Sequence, residues 1–451
     1  MTDATHVVTA FLRNGGRILL LRRSDAVGTY EGQWGGVSGY AEGDPDGQVW
    51  AEIDEETGLA DAVDLVRSGR PVEFQDADLE QDWTVHPYLF DCDRRGVEVS
   101  DEHVAYEWVH APEIRRRETV PELWTAYERV TPSVRTIAAD DDHGSAHLSI
   151  VALEILRDRA AVTAHVVDDG AEAADELARL ARRLIEARPS MAALRNRVNR
   201  VMAGADGPGA VEAVAADAID RAAAADEGAA RIAAERVAGE RVLTLSRSGT
   251  VLTAFRGVDR DENGAENGSP EYRETDERAH SGDPEADDAG PAPPERLYVA
   301  ESRPAREGIG VAEALAGTLP VTVHTDAAVA HVLAEEAVDA VLVGADTVLP
   351  DGRVLNKTGT RTVAAAAAHE DVPVLVVAAA DKVSPDDAVN REFGPASDLY
   401  DGDAQVEVLN PTFDVTPADL VDAVVTERGA LSTDAIGSVA EDHREHADWS
   451  P

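Results

Sequence analysis

The stretch VGADTVLPDGRVLNKTGT, residues 343–360, decides the fold of the larger part of this chain. It continues the apolar run DAVLVGAD, one of five short apolar runs that alternate with helical stretches after residue 240. Continuous apolar runs of this kind are typical of parallel strands that are buried on both faces. The sequence therefore predicts an α/β domain with a parallel sheet over residues 241–434.

Polar residues follow these apolar runs at the points where the predicted strands end. Ser246, Arg303, Asp346 and Lys382 each come at or just after the end of a run. In an open parallel sheet, ligands bind outside the carboxyl ends of the strands. We therefore expect a polar ligand site at this edge of the sheet.

Both lysines of the chain fall at the same edge. Lys357 and Lys382 are the only lysines of the sequence, whereas arginines are numerous. Lysine is a compact, flexible point charge that suits a phosphate or a sugar oxygen, whereas arginine is a planar fork. Lys357 is therefore a candidate ligand-binding residue.

Composition limits the classes of partner. The chain has 87 acidic residues against 41 lysines and arginines, a formal net charge of -46, which predicts a salt-adapted cytoplasmic protein. The absence of a long basic cluster argues against direct DNA binding. The single cysteine, Cys92, excludes an intramolecular disulfide and a cysteine metal site. We expect neither a signal peptide nor a membrane span.

The amino-acid composition and the hydrophobic pattern change along the chain. Five of the six tryptophans lie in the first 130 residues, among short alternating strands and one helix-like segment. Ala, Glu, Arg and Leu at helical spacing follow. The predicted boundaries are an α+β domain at 1–130, a linker at 131–142, a helical domain at 143–240, the parallel-sheet domain at 241–434 with a disordered acidic insertion at 257–294, and an acidic tail at 435–451.

The helix-like segment carries three carboxylates in AEIDEETGL. Glu52, Glu55 and Glu56 are spaced so that a helix places them on one face, and Gly58 is a helix C-cap signal. Like charges that converge require a cation, and a hard divalent ion such as Mg²⁺ is the natural partner. A solvated acidic helix face is the alternative interpretation.

The stretch GYAEGDPDGQVWAEIDEETGL resembles a Nudix box, and EHVAYEWV resembles a late strand of the same family. The resemblance implies an α/β/α sandwich that hydrolyses nucleoside diphosphates linked to another moiety, with Glu52, Glu55 and Glu56 as catalytic residues that bind Mg²⁺. The sequence departs from the family pattern in three ways. The stretch after Gly39 is short, Ala51 replaces the box arginine, and Asp44 is the nearest substitute for the upstream glutamate.

Residues 143–434 resemble a second family, through motifs that include RPSMAALRNRVNRV, YVAESRPAREG and NPTFDVTPADLVDAVVTERG. This family contains the alpha, beta and delta subunits of translation initiation factor two-B, together with methylthioribose-1-phosphate isomerase and ribose-1,5-bisphosphate isomerase. The resemblance implies a helical domain followed by a Rossmann-like domain that forms a homodimer. It also makes a translation initiation factor a candidate partner.

The resemblance carries over to individual residues of the strand edge. Asn356 and Lys357 match isomerase active-site positions, Asp346 matches the isomerase aspartate, and Arg303 ends the neighbouring strand. Ser246 stands where the isomerases have a cysteine, and a hydroxyl is a much poorer proton donor or acceptor near neutral pH than a thiol. These residues therefore predict a pocket for a nucleotide or sugar phosphate. Ser246 in place of the cysteine predicts that the pocket has no isomerase activity.

Three functions follow from these features. The first is a fusion of a Nudix-type pyrophosphohydrolase with an initiation-factor-two-B-like regulatory module that binds a nucleotide or sugar phosphate. The second is a non-catalytic translation-factor-like subunit with a degenerate Nudix domain. The third is a sugar-phosphate isomerase. Ala51 favours the second over the first, whereas the complete set of three glutamates favours the first.

Overall fold

The computed structural model describes residues 4–77, 79–140, 143–166, 170–256 and 291–449. The chain divides into two compact units. Unit 1 comprises Met1–Ile137, Leu153–Leu177 and Asp206–Asp220, and unit 2 comprises Ala138–Ala152, Ala178–Ala205 and Arg221–Pro451. The predicted acidic insertion lies, apart from its last four residues, outside the described residues.

Strands occur in both units among the described residues. They are β1 Thr5–Asn14, β2 Arg17–Arg23, β3 Trp34–Gly35, β4 Val37–Tyr40, β5 Val63–Ser68, β6 Val72–Asp76, β7 Gln81–Cys92, β8 His103–Val109, β9 Arg241–Leu245, β10 Arg296–Ala300, β11 Val321–His324, β12 Ala340–Val343, β13 Thr347–Val348, β14 Val354–Lys357, β15 Val374–Val377, β16 Phe413–Thr416, β17 Ala423–Thr426 and β18 Gly429–Leu431.

The α-helices lie between and after these strands. They are α1 Pro45–Thr57, α2 Leu123–Val130, α3 Val134–Ala139, α4 Ser145–Val166, α5 Gly170–Ala187, α6 Ala192–Gly204, α7 Val211–Arg236, α8 Gly249–Arg256, α9 Glu307–Leu315, α10 Val329–Glu335, α11 Thr360–His369 and α12 Thr433–His446.

Unit 1 is built on a mixed sheet with the order β3-β2-β1-β7-β5, to which β4, β6 and β8 add at β1, β7 and β2. Strands β1 and β7 are parallel, and the other pairs are antiparallel. Helix α1 packs Val49 and Ile53 on one face of the sheet, and α2 packs Ala126 and Tyr127 on the other. The predicted α/β/α sandwich is therefore confirmed.

Part of the predicted helical domain belongs to unit 1 through buried charges. Arg13 of β1 donates to Glu154 of α4 with an Nη1–Oε2 distance of 2.9 Å. Arg157 donates to the Gly16 carbonyl at 2.8 Å, and the Tyr127 hydroxyl donates to Asp158 at 2.9 Å. Buried charges need such partners. These contacts attach the second half of α4 to the sandwich.

Unit 2 contains a seven-stranded sheet with the order β11-β10-β9-β12-β15-β17-β18, in which only the β17–β18 pair is antiparallel. Helices α7, α8 and α9 cover one face, and α10, α11 and α12 cover the other. A small antiparallel sheet, β13-β14-β16, follows the end of β12. Coverage of both faces explains why the strands read as continuous apolar runs.

Two segments differ from the sequence-based boundaries. The predicted linker, residues 131–142, contains helix α3 with Ile137 buried. The predicted acidic tail, residues 435–451, forms most of α12, which buries Ile436, Val439 and Ala440. Apolar residues at this spacing share one helix face, so α12 packs on the sheet even though its outer face is acidic.

Candidate functional sites

Helix α1 carries the three predicted glutamates and has a well-defined cap at each end. Asp44 is the N-cap, and its Oδ1 accepts a hydrogen bond from the Gly47 amide at 3.2 Å. At the other end Gly58 has a φ of 64° and donates from its amide to the Asp54 carbonyl at 3.0 Å. The predicted C-cap is confirmed. Asp44 serves as a cap rather than as a replacement for the missing glutamate.

The carboxylates of α1 face a cavity of about 550 Å³ that lies within unit 1. Glu52 and Glu55 line this cavity, whereas Glu56 is buried behind it. The Glu52 carboxylate lies directly over Gly39, where a Cβ atom would come within 1.9 Å of Glu52 Oε1. A side chain at position 39 would therefore displace the Glu52 carboxylate from its position over the strand.

Glu56 is a deeply buried carboxyl group on helix α1 of unit 1. Its residue is 3% exposed, and one oxygen, Oε2, accepts from the Ser38 amide at 3.1 Å. The other oxygen, Oε1, is buried and has no hydrogen-bond partner among the described residues. Burial raises the pKa of Glu56 to about 9, while the Ser38 hydrogen bond lowers it and the charge of Glu52 adds to the rise.

His103 cannot neutralise this carboxylate. Its Nε2 lies 3.9 Å from Glu56 Oε1, but burial, together with the charge of Arg23, lowers the pKa of His103 to about 4. A neutral imidazole cannot hold Glu56 in its ionised form, so the ionised form at neutral pH requires another cation. Glu56 Oε1 is therefore suited to bind a cation.

Two residues of this site were missed by the sequence analysis. Glu102 lines the cavity and acts electrostatically on both Glu52 and Glu56. It begins the segment EHVAYEWV, so the family pattern contained a signal for it. Arg23 of β2 also lines the cavity and lowers the pKa of Glu56 by its charge, while its Nε donates to the Thr29 carbonyl. Arg23 thus supplies a positive charge that Ala51 cannot.

The donor set fits a magnesium ion. Glu52, Glu55, Glu56 and Glu102 all offer carboxylate oxygens, which Mg²⁺ prefers. The charges of Glu52 and Glu102 raise the pKa of Glu56, and burial of a charged Glu56 without a cation is costly. The unpartnered Oε1 of Glu56 is the observation that favours this interpretation.

The second predicted site lies at the carboxyl ends of the strands of unit 2. The Ser246 hydroxyl, after β9, donates to Glu307 Oε2, and Lys357 Nζ, at the end of β14, lies 2.7 Å from Glu307 Oε1. The side chains of Lys357 and Glu307 are 26% and 20% exposed, so both are accessible to a ligand. The structure therefore joins Ser246 and Lys357 through a carboxylate that the sequence analysis missed.

Asp346 and Lys382 belong to the same edge. Burial raises the pKa of Asp346, and the charges of Lys382 and Lys357 oppose that rise. Lys382 is buried, burial lowers its pKa, and its Nζ donates to the Ala345 carbonyl at 2.7 Å. Both lysines therefore act on the same aspartate, which explains why they share this edge.

The remaining two predicted residues are placed differently. Asn356 is buried, and its Nδ2 donates to Thr360 Oγ1 at 3.0 Å, which stabilises the turn between β14 and α11. Arg303 is exposed, and its backbone amide donates to Asp326 Oδ2 at 2.7 Å. In the part of the chain that the structure describes, the side chains of Asn356 and Arg303 form no hydrogen bond or ion pair with the side chains of Ser246, Glu307 or Lys357.

Unusual backbone geometry surrounds this group. Ser246, Ser302 and Arg306 have φ values of 61°, 61° and 59°. The Ser246 amide donates to Ser302 Oγ at 2.6 Å, and the Ser302 amide donates to Asp326 Oδ1 at 2.8 Å. Non-glycine residues in the left-handed region are uncommon, and they cluster at functional sites. The loops after β9 and β10 therefore have the character of a ligand site.

A buried ion cluster holds the end of β15 next to this site. Arg197 of α6 is 1% exposed and donates through Nε to Asp381 Oδ2 at 2.8 Å. Its Nη2 lies 3.1 Å from Asp226 Oδ2, and Arg200 also pairs with Asp381. The arginines of the motif RPSMAALRNRVNRV thus fix the position of Asp381, the residue that precedes Lys382.

The comparisons with known proteins agree with this geometry. The model of the Initiation factor 2 subunit family matches residues 141–433, and the model of the NUDIX domain matches residues 3–130. The chain therefore belongs to the Initiation factor 2 subunit family and carries an N-terminal NUDIX domain. The prediction that the chain combines these two modules is confirmed.

Relatives of known activity match only part of the chain. Methylthioribose-1-phosphate isomerase of Stutzerimonas stutzeri is 38% identical over 148 residues, and that of Pseudomonas savastanoi pv. phaseolicola is 40% identical over 148 residues. In both cases the match covers 30% of this chain and 41% of the relative. The chain therefore spans about two fifths of the length of the curated relatives that it matches. The prediction against isomerase activity finds no support in these relatives.

A solved structure shows the same fold. The translation initiation factor eIF-2B of Pyrococcus horikoshii OT3 superposes with a TM-score of 0.52 at 24% identity and covers 66% of this chain and 94% of its own. This likeness confirms the α/β fold of the second module. No helix among the described residues is long and apolar enough to cross a membrane.

Proposed function

We propose that the NUDIX domain is a Mg²⁺-dependent pyrophosphohydrolase that acts on nucleoside diphosphates linked to another moiety. The observation that carries this proposal is the buried, unpartnered Oε1 of Glu56 beside Glu52, Glu55 and Glu102. A cation at these oxygens would remove the cost of burying Glu56 in its charged form. Glu52, Glu55 and Glu56 are the residues that would hold it, with Glu102 as a further carboxylate.

The cavity supplies the remaining contacts for such a substrate. When bound, Mg²⁺ would neutralise charge that develops on phosphoryl oxygens during hydrolysis. Arg23 has guanidinium donors that suit phosphate oxygens, and it lines the cavity next to the carboxylates. Tyr30 and Trp83 line the same cavity and offer aromatic surface for a nucleobase.

The test is a screen of the purified full chain with nucleoside diphosphate-linked compounds in the presence of Mg²⁺. We expect release of a nucleoside monophosphate from at least one compound and loss of this release when EDTA removes the ion. Absence of turnover for every compound would favour the alternative function, a non-catalytic subunit with a degenerate NUDIX domain.

We further propose that the strand edge of unit 2 binds a sugar phosphate and supports isomerase-type chemistry. The contacts among Ser246, Glu307 and Lys357, close to a partly buried Asp346, favour this function. The curated relatives are named as isomerases of a pentose 1-phosphate derivative, which supports the same substrate class. Regulatory binding without turnover is the alternative for this module.

Replacing Lys357 with methionine should weaken sugar-phosphate binding by about 10- to 100-fold, since one charge-assisted hydrogen bond is lost. Lys357 has three donors, and Glu307 takes one of them. Isothermal titration calorimetry with ribose 1,5-bisphosphate and methylthioribose 1-phosphate measures the change. Arg353→Met, on the exposed part of the same hairpin, is the matched control and should bind as the unmodified chain does. Equal affinity of the Lys357 variant would contradict the assignment.

A further inference from the structure

Ser246, at the strand edge of unit 2, stands where the family resemblance implies a cysteine, and it donates a hydrogen bond to the carboxylate of Glu307. Glu307 is the first residue of α9, and Arg306 before it has a φ of 59°. This left-handed residue follows β10 closely and allows α9 to begin at the strand edge. Glu307 accepts hydrogen bonds from Ser246 on one oxygen and from Lys357 on the other.

The two contacts have different consequences for Glu307. Lys357 Nζ donates a hydrogen bond to Glu307 Oε1 at 2.7 Å, so Oε1 acts as an acceptor for a positively charged donor. The Ser246 hydroxyl fixes the direction of Oε2. Ser246 itself is held by its left-handed backbone and by the hydrogen bond from its amide to Ser302. Glu307 is therefore an accessible carboxylate with a fixed orientation.

From this geometry we propose that Glu307 is the catalytic base of the unit 2 site and takes the proton-transfer role that a thiol would otherwise have. The inference rests on the proposed sugar-phosphate function of this site. Ser246 is then a positioning residue, and Lys357 both orients Glu307 and binds the ligand. Asp346 is a second carboxyl group at this edge, and the charges that act on it are those of Lys382, Lys357, Glu392 and Glu307.

The chemistry balances with these groups alone. In the isomerisation of a pentose 1-phosphate, the C1–O4 bond breaks and O4 takes a proton, for which the Asp346 carboxyl group is available. The Glu307 carboxylate removes the proton from C2, and a C1–C2 double bond forms. Glu307, whose partly exposed carboxyl group exchanges its proton with solvent, then gives a proton to C1, while the hydroxyl on C2 loses its proton to Asp346 and becomes a carbonyl. No oxidant, reductant or co-reactant is consumed.

Glu307 suits this role better than Ser246 does. A serine hydroxyl is a poor base near neutral pH, whereas a carboxylate is ionised there. Removal of a general base costs about 10²- to 10⁴-fold in rate, whereas loss of one orienting hydrogen bond costs about 10-fold. The two residues can therefore be distinguished by the size of the effect.

The experiment uses the full chain in D₂O with ribose 1,5-bisphosphate and with methylthioribose 1-phosphate. Proton NMR follows deuterium incorporation at C1 and C2 together with ketose formation, and calorimetry measures binding in parallel. We expect Glu307→Gln to slow deuterium incorporation and ketose formation by about 10²- to 10⁴-fold. Binding of the sugar phosphate should stay the same or become stronger, because the variant releases Lys357 from its ion pair with Glu307. Ser246→Ala should lose about 10-fold. Glu313→Gln, on the exposed side of the same helix, is the matched control.

Each outcome decides the inference. A Glu307→Gln variant that exchanges deuterium within 10-fold of the unmodified chain overturns it. An unmodified chain that binds the sugar phosphates without exchange also overturns it, while the binding proposal stands. An unmodified chain that neither binds nor exchanges overturns both. A Glu307→Asp variant that recovers part of the exchange supports the assignment, since it keeps the carboxylate.

Discussion

Glu56→Gln should reduce the Mg²⁺-dependent hydrolysis that we propose for the NUDIX domain by about 1,000-fold, because a metal ion contributes several kcal/mol to transition-state stabilisation. Glutamine keeps the size of the side chain and one oxygen acceptor for the Ser38 amide, so the local packing is preserved. What it removes is the ability of the buried carboxyl group to ionise and bind a cation through Oε1. Release of nucleoside monophosphate at saturating Mg²⁺ measures the effect.

The matched control is Asp54→Asn, which changes an exposed carboxylate on the same helix. Its hydrolysis rate should remain close to that of the unmodified chain. If both variants retained full activity, the carboxylates of α1 would not bind the catalytic ion. If only the control lost activity, Glu56 would be a buried structural residue.

The same variant tests whether Glu56 is strained in the absence of metal. Its folded pKa of about 9 lies above the ordinary glutamate value. The folded chain therefore binds the proton more tightly, and the stability contributed by Glu56 is present below about pH 4.5 and is lost as the pH rises towards 9. Glu56→Gln should remove this loss, so that the metal-free variant melts at a higher temperature than the unmodified chain at pH 8.

Arg197→Met should destabilise the α6–β15 region of unit 2 by about 3 kcal/mol, because removing one partner of a buried ion pair leaves an uncompensated charge. Arg197 contacts Asp381 and Asp226 and donates to Ser149 Oγ at 2.7 Å. Burial would raise the pKa of Asp381, but the charges of Arg197 and Arg200 outweigh it and hold that pKa well below its usual range. The stability that Asp381 contributes is therefore present at neutral pH and is lost in acid.

Hydrogen exchange followed by mass spectrometry locates this effect. Amides of α6 and of the segment after β15 should exchange faster in Arg197→Met, whereas those of the NUDIX sheet should not change. The control is Arg231→Met, which removes a pair with Glu235 in which both side chains are about half exposed. Equal amide exchange in the two variants would show that the buried ion pairs of Arg197 do not stabilise α6 and the segment after β15.

Much of the fold was predictable because the sequence carries its periodicity directly. Alternating residues identified the strands of unit 1, and continuous apolar runs identified the parallel strands of unit 2. The errors have a physical reason. Helix α12 is acidic on its outer face, so that composition concealed the apolar stripe of Ile436, Val439 and Ala440. Amino-acid composition averages over all faces of a helix, whereas packing on a sheet depends only on the residues of the face that contacts it.

The sites were predicted unevenly for a related reason. Ser246, Asp346 and Lys357 come from strand ends, and the rule for parallel sheets places them at one edge. Glu307 lies on the helix after β10 and carries no spacing signal that connects it with Ser246, which precedes it by 61 residues. Glu102 likewise acts on the α1 carboxylates from a distant segment, the turn before β8. Contacts between distant segments are not encoded in local spacing.

The sequence by itself determined the two modules, the spacing of Glu52, Glu55 and Glu56 and the location of both lysines at one sheet edge. Only the tertiary structure decided that Glu56 is buried with an unpartnered oxygen and that Glu307 joins Ser246 to Lys357. Local spacing sets which side chains share a face. Burial and the choice of charged partner depend on segments that are far apart in sequence, and these two factors determine the chemistry of a carboxylate.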